Sequence, residues 1–142
     1  MAQIEIQREA SSAFYELLAE YEASLPDALR HGSLEPNLVA FVASVDGAPC
    51  GCVALDECDA TAGIVKRLYV QPAFRQHGVA RALIDALVQV ARERGYTRVV
   101  LDTDREALAP AYRFYMKYGF KECGPYVEAV SYACPTFMEL PL

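Results

Sequence analysis

The sequence predicts an α/β fold of the α+β kind, with a mixed, twisted sheet of about seven strands, mostly antiparallel around a central parallel pair, and about four helices. Three observations predict it. Short apolar segments alternate with helical periodicities along the chain, with no internal repeat or low-complexity tract. Asp46-Gly47 separates two apolar runs, which is a hairpin signal. From Ile64 to Leu101 a strand, an amphipathic helix and a second strand follow one another, and such a crossover joins parallel strands with right-handed sense.

Gln3 to Gln7 reads as the first strand, and Ser11-Ser12 precede Phe14, Leu17, Leu18 and Tyr21, spaced as one face of a helix. A second short helix is expected to end near Gly32. Leu38 to Val45 is a strand and Cys50 to Leu55 its partner across Asp46-Gly47. Cys50 and Cys52, two apart on that strand, are expected to share a face. Asp56 to Gly63 reads as a turn-like stretch, with Glu57 and Asp59 in it, leading into a strand from Ile64 to Val70. That strand stops at Gln71-Pro72, because proline cannot donate to the ladder. From Val79 to Arg94 the apolar residues Val79, Leu83, Leu87 and Val90 fall on one face, and Gly95 closes the helix. Thr97 to Leu101 is the second strand of the crossover. Glu106 to Tyr118 forms the last helix, with Pro110 in its first turn and Gly119 at its cap. Phe120 to Gly124 and Ala133 to Leu140 complete the sheet.

The 142 residues, 54% of them hydrophobic, fit one domain spanning 1–142 with one substantial core. No apolar run reaches the roughly 18 residues of a membrane span, and Met1 to Glu5 lacks the regions of a signal peptide, so a soluble cytoplasmic protein is expected. A formal charge of −6 argues against non-specific nucleic-acid binding, which needs clustered Lys and Arg. The five cysteines show no C-x-x-C pair, and neither His31 nor His77 has a ligand-spaced partner, so neither a disulfide framework nor a metal site is expected.

The chemistry begins after Pro72. A strand, a short turn and a glycine opening a helix aim unpaired backbone N–H groups at one point, where anions bind. In Arg75-Gln76-His77-Gly78-Val79-Ala80, Gly78 permits close approach to the backbone, Ala80 adds little bulk and Arg75 carries a charge. No Gly-Lys-Ser/Thr follows and only one glycine is present, so neither a P-loop nor G-x-G-x-x-G is indicated.

Leu68-Tyr69-Val70-Gln71-Pro72 followed by Arg75 to Ala80 resembles the R/Q-x-x-G-x-G/A motif of the GNAT superfamily of N-acetyltransferases. Ala111 to Phe120 resembles the family's A-x-x-x-Y-x-x-x-G-F element, in the right order and at the right distance. The resemblance spans nearly the whole chain and is strongest from Lys66 to Phe120. It implies that the parallel strands splay apart around the pantetheine arm of acetyl-CoA. It also implies that Leu68, Tyr69, Val70, Arg75, Gln76, His77, Gly78, Val79 and Ala80 bind this co-substrate. Tyr115 matches the tyrosine that protonates the departing thiolate. Burial among Tyr112, Phe114 and Tyr118 is the alternative for Tyr115.

Two positions depart from the family pattern. Ile64 stands where relatives often carry a glutamate base, and Leu108 where they often carry an asparagine that bonds the coenzyme. Asp102 is a substitute base by placement, against the alternative of a solvated strand-end carboxylate. Only one of Lys66 and Arg67 can point toward the substrate. The stretch from Gly124 to Pro135, with Tyr126, Glu128 and Tyr132, is either an acceptor-site loop or an ordinary surface loop. The expected reaction is acetyl transfer to a primary amine of a small molecule or peptide in a ternary complex, by a protein that could pair as a homodimer. The alternative is an acyl-CoA-binding sensor with little turnover, and a nucleotide-binding protein is a third reading.

Overall fold

A computed structural model describes residues 3–25, 38–126 and 135–142. In chain order the elements are β1 (Ile4–Gln7), α1 (Ser12–Ser24), β2 (Val39–Val45), β3 (Ala48–Asp59), β4 (Ala62–Val70), α2 (Val79–Glu93), β5 (Arg98–Thr103), α3 (Ala109–Tyr118), β6 (Lys121–Cys123) and β7 (Thr136–Pro141). One sheet runs in the order β1-β2-β3-β4-β5-β7-β6. Among the described residues only β4 and β5 are parallel neighbours, and every other pairing is antiparallel. The mixed sheet with its central parallel pair is thus present. The short helix expected to end near Gly32 lies outside the described residues.

The sheet divides two apolar layers. Phe41, Val53, Leu55, Val99, Leu101 and Met138 pack against α2 on one face. Ala40, Val42, Cys52, Ala54 and Tyr69 pack against Phe14, Leu17 and Leu18 of α1 on the other. In α2 the buried residues Val79, Leu83, Ile84, Leu87, Val88, Val90 and Ala91 form a single stripe, each large side chain contributing about 1.5–3 kcal/mol by leaving water. Ser11 caps α1 by accepting from the Phe14 N–H at 3.4 Å, satisfying one orphan donor of the first turn. Asp46 and Gly47 both take positive φ, 51° and 83°, as a two-residue hairpin turn requires.

Several boundaries differ from the sequence reading. β3 runs on to Asp59 and β4 starts at Ala62, so the stretch from Asp56 to Gly63 is mostly paired strand, with Glu57 opposite Gly63. The actual turn is closed by Asp59, whose carboxylate accepts from both the N–H and the hydroxyl of Thr61. The last helix starts at Ala109 rather than Glu106, because Asp104 Oδ1 accepts from the N–H groups of Glu106 and Ala107 and holds them in a turn. β5 extends to Thr103, which brings Asp102 inside the strand. Cys50 and Cys52 pack on opposite faces, Cys50 with the α2 layer and Cys52 with the α1 layer. The register shift at Ala43/Ser44 inserts a bulge there and breaks the period of two.

Candidate active site

The parallel pairing of β4 with β5 covers only Ala62↔Arg98, Gly63↔Val99 and Ile64↔Val100. Beyond Ile64, β4 stays with β3 while β5 stays with β7 as far as Thr103↔Thr136. The two central strands therefore part, leaving one edge of β4 from Val65 to Val70 without a strand partner among the described residues. A bulge lies at this point. Cys52 opposes Tyr69 and Ala54 opposes Lys66, so Arg67 and Leu68 together face Val53. Arg67 takes φ 59°, a left-handed conformation that costs a side-chain-bearing residue roughly 1–2 kcal/mol. Such bulges re-aim side chains and cluster beside active sites.

After the bulge the strand alternates again. The Gln71 N–H donates to the Cys50 carbonyl at 2.8 Å, so it points toward β3. Strand alternation then turns the N–H and C=O groups of Leu68 and Val70 toward the open edge, and those of Tyr69 toward β3. Tyr69 itself is buried in the α1 layer.

The turn that follows is built by a short 3-10 segment, Pro72–Phe74, and by Gly78. Gly78 caps α2 with φ 85° and ψ 6°, and an added Cβ would meet nothing within 4 Å, so the glycine is required by its backbone conformation and not by crowding. No side chain caps this helix end, and the first helical bond runs from the Ala82 N–H to the Gly78 carbonyl. The N–H groups of Val79, Ala80 and Arg81 precede that bond and form the positive end of the helix dipole. Gln76 is also held at positive φ, 65°, and Gln76, His77 and Gly78 are exposed. Arg75 turns back to its own strand: its Nε donates to the Val70 carbonyl at 2.9 Å and its guanidinium lies 5.9 Å from the centre of the Tyr69 ring. Arg75 thus staples the turn to β4, beside the backbone N–H groups of the helix start.

Tyr115 projects from α3 and is buried, with edge-on contacts to Phe114 and Phe120 at 5.6 and 5.4 Å. Burial first, and then the charges of Tyr21 and Asp102, push its phenol well above the usual range, so it keeps its proton at any ordinary pH. Tyr115 is thus buried among aromatics, as one of the two expectations had it, and carries a protonated hydroxyl. Tyr112 instead lies toward the surface and donates to Glu122 at 2.8 Å.

A polar cluster lines the opposite, α1 side of the split. Of the adjacent pair Lys66 and Arg67, Lys66 is tied to Asp56 at 2.8 Å, whereas Arg67 has a side chain only 8% exposed, with Nε 3.8 Å from Glu22. Burial lowers the Arg67 pKa, and Glu22, Tyr21 and Asp102 oppose that fall. Burial likewise pushes the Tyr21 phenol up to about 12. The Tyr126 hydroxyl donates to Asp102 Oδ1, and its ring stands edge-on to Phe137 at 5.4 Å. Asp102 is therefore part of a cluster and not a solvated strand end. Sequence reasoning passed over Tyr21, Glu22 and this role of Arg67, and its only signal was the bulky, charged Lys66-Arg67 pair at the middle of a strand. Glu128 and Tyr132 lie outside the described residues. Ile64 is half-buried opposite Val100, and Leu108 stands at the N-cap of α3 without a capping bond. Among the described residues no group of three His, Cys, Asp or Glu could hold a metal ion, and no helix is long and apolar enough to cross a membrane.

A split parallel pair beside an uncapped helix start narrows the comparison with known proteins. The acetyltransferase (GNAT) family matches residues 4–120. The chain belongs to this family. Among GNAT relatives, the Bacillus subtilis uncharacterized N-acetyltransferase YsnE is 33% identical over 79 residues, covering 55% of this chain and 52% of YsnE, so the chain spans about half the length of that relative. A Klebsiella pneumoniae structure assigned as an acyl-CoA N-acyltransferase superposes with TM-score 0.82 at 26% identity, covering 100% of this chain and 98% of its own. A Bacillus anthracis structure assigned as a streptothricin acetyltransferase, in complex with acetyl coenzyme A, superposes with TM-score 0.66 at 23% identity, covering 76% of this chain and 64% of its own. Both superpositions show the same overall fold as this chain.

Proposed function

We propose that this GNAT chain transfers an acetyl group from acetyl-CoA to a primary amine of a small molecule or peptide, by direct attack in a ternary complex. The observation that carries the reading is the open edge of β4 leading straight into the uncapped start of α2. An extended amide-bearing chain fits such an edge as an added strand does, and a pyrophosphate fits the helix start. In this reading Leu68 and Val70 offer backbone groups to the pantetheine arm and Tyr69 supports the edge from beneath. Gln76, His77, Gly78, Val79 and Ala80 offer the turn to phosphate, and Arg75 holds that turn on the strand. A backbone N–H of the open edge stabilises the oxyanion, and Tyr115 donates a proton to the sulfur as it leaves. The coenzyme found with the Bacillus anthracis neighbour supports the choice of acetyl-CoA. The free thiols of Cys50, Cys52, Cys58 and Cys123 fit a reducing compartment, the cytoplasm.

The departures at Ile64 and Leu108 favour a second reading, an acyl-CoA sensor with little turnover, in which neither the base nor the α3 contact is retained. An amine panel incubated with acetyl-CoA and read by thiol release separates the two. Turnover on an amine supports transfer, and coenzyme binding with no thiol released from any amine supports the sensor. Stabilisation on heating by ATP or NAD in preference to acetyl-CoA contradicts both.

A further inference from the structure

Gln71 joins β4 to the turn before α2, and its bonds run in three directions. Its N–H donates to the Cys50 carbonyl of β3 at 2.8 Å, and its carbonyl accepts from the Phe74 N–H at 2.9 Å, which opens the 3-10 segment. Its side chain reaches α1, where Nε2 donates to both carboxylate oxygens of Glu20 at 3.2 Å. Tyr69, two residues earlier, lies on the same α1 face, and its hydroxyl donates to Glu20 Oε1 at 3.4 Å. Burial first, and then the Glu20 carboxylate, raise the Tyr69 phenol above its usual range, which keeps the hydroxyl a donor. The Tyr69 ring in turn lies under the Arg75 guanidinium, and Arg75 Nε returns to the Val70 carbonyl. One carboxylate therefore holds the residues on both sides of Val70.

The helix that presents Glu20 is a firm anchor, because Phe14, Leu17 and Leu18 are buried against the sheet. Glu20 itself is exposed and adds nothing to that packing. Alanine would suit the helix at least as well, so helix propensity does not call for glutamate here. What glutamate supplies is a pair of acceptor oxygens aimed at the end of β4.

We propose, on the acetyl-CoA reading above, that Glu20 is a positioning residue for the coenzyme, fixing through Gln71 and Tyr69 where the β4 edge ends and the phosphate-binding turn begins. Leu68 and Val70 offer the edge, and Val79, Ala80 and Arg81 offer the N–H groups of the helix start. The two ends of one ligand are thus held by two elements that meet at Gln71. A shift at that joint moves one set of groups relative to the other. It weakens a ligand that spans both, although no contact to the ligand has been deleted.

The test measures acetyl-CoA affinity by calorimetry on the whole protein for wild type, Glu20→Ala and Glu20→Gln, and for Glu20→Ala in a Tyr69→Phe/Gln71→Ala background, with urea unfolding of each variant alongside. Glu20→Ala is expected to weaken acetyl-CoA by about five- to tenfold with an unfolding midpoint close to wild type, the scale of lost hydrogen bonds to an exposed charged group. Glu20→Gln keeps an acceptor oxygen without the charge and loses only about two- to threefold. In the Tyr69→Phe/Gln71→Ala background Glu20→Ala changes affinity by less than about twofold, because the groups it acts through are gone. A merely structural role would lower the unfolding midpoint and leave the affinity of the folded protein unchanged. Affinity within about twofold of wild type in Glu20→Ala, or the same loss in both backgrounds, overturns the proposal. A wild type that binds no acetyl-CoA brings down the coenzyme reading itself, so the two failures are distinguishable.

Discussion

The turn between β4 and α2 is made of consecutive residues and uses mainly backbone groups, whereas the polar cluster on the α1 face draws Tyr21, Arg67, Asp102 and Tyr126 from α1, β4, β5 and the segment after β6. The first region needs only a glycine that tolerates φ 85° and a helix left uncapped. The second needs a bulge at Arg67, a strand long enough to carry Asp102, and helices packed on both faces of the sheet. A site made of backbone takes one ligand class and is indifferent to most side-chain changes. In the proposed reading, a site made of side chains from many elements can vary its acceptor while the backbone-built coenzyme half stays the same.

Substitutions that touch one half alone break or sharpen this comparison. The largest effect is expected at Tyr115, which stands between the halves. Tyr115→Phe should lower turnover by about 100-fold with acetyl-CoA affinity kept, measured by initial rates and calorimetry. Because burial raises the Tyr115 pKa, its ionisation should give wild type no alkaline falling limb below about pH 10.

Gly78→Ala comes next and acts on the coenzyme half. The new Cβ meets nothing in the protein, so the fold loses only the roughly 1–2 kcal/mol of a strained φ. Acetyl-CoA affinity should fall by about tenfold, as for one weakened bond to a charged phosphate, while kcat at saturating coenzyme stays near wild type.

A third outcome belongs to the acceptor half and appears as stability against pH. The Tyr21 phenol titrates near 10.0 when unfolded and at about 12 when folded, so folding favours its protonated form. Its contribution is complete below pH 10 and is lost as pH rises from there toward 12. Wild type should lose about 1 kcal/mol more than Tyr21→Phe between pH 10 and pH 11, read by urea unfolding at each pH. The smallest effect is expected at Arg75. If its guanidinium chiefly staples the turn to the Val70 carbonyl, Arg75→Met should weaken acetyl-CoA binding by only about threefold, the scale of a partly exposed cation–π contact. A hundredfold loss would make the side chain a main phosphate ligand.

The same contrast explains what the sequence made legible. Arg75 to Ala80, the Asp46-Gly47 hairpin and the stripe of α2 are local patterns, so period and turn chemistry read them directly. The polar end of β3 was hidden because Asp56, Glu57 and Asp59 have the composition of a turn, although their alternating exposure is that of a strand leaving the core. The bulge that sends Cys50 and Cys52 to opposite faces depends on pairing with β2, which no window on one strand contains. Asp102 and Tyr126 are 24 residues apart, and Arg67 meets Glu22 only because α1 folds over β4. Contacts of that kind are set by tertiary packing, and the motif carried no trace of them.

The central claim is that coenzyme and acceptor occupy the two differently built sides of one split, and amide chemical shifts followed during ligand titration test it most directly. Acetyl-CoA alone should move the amides of Leu68, Val70 and Gln76 to Arg81 most, and an amine added to that complex should then move those of Tyr21, Arg67 and Asp102. Largest shifts elsewhere on addition of acetyl-CoA, or the same shifts produced by ATP or NAD, would contradict the account.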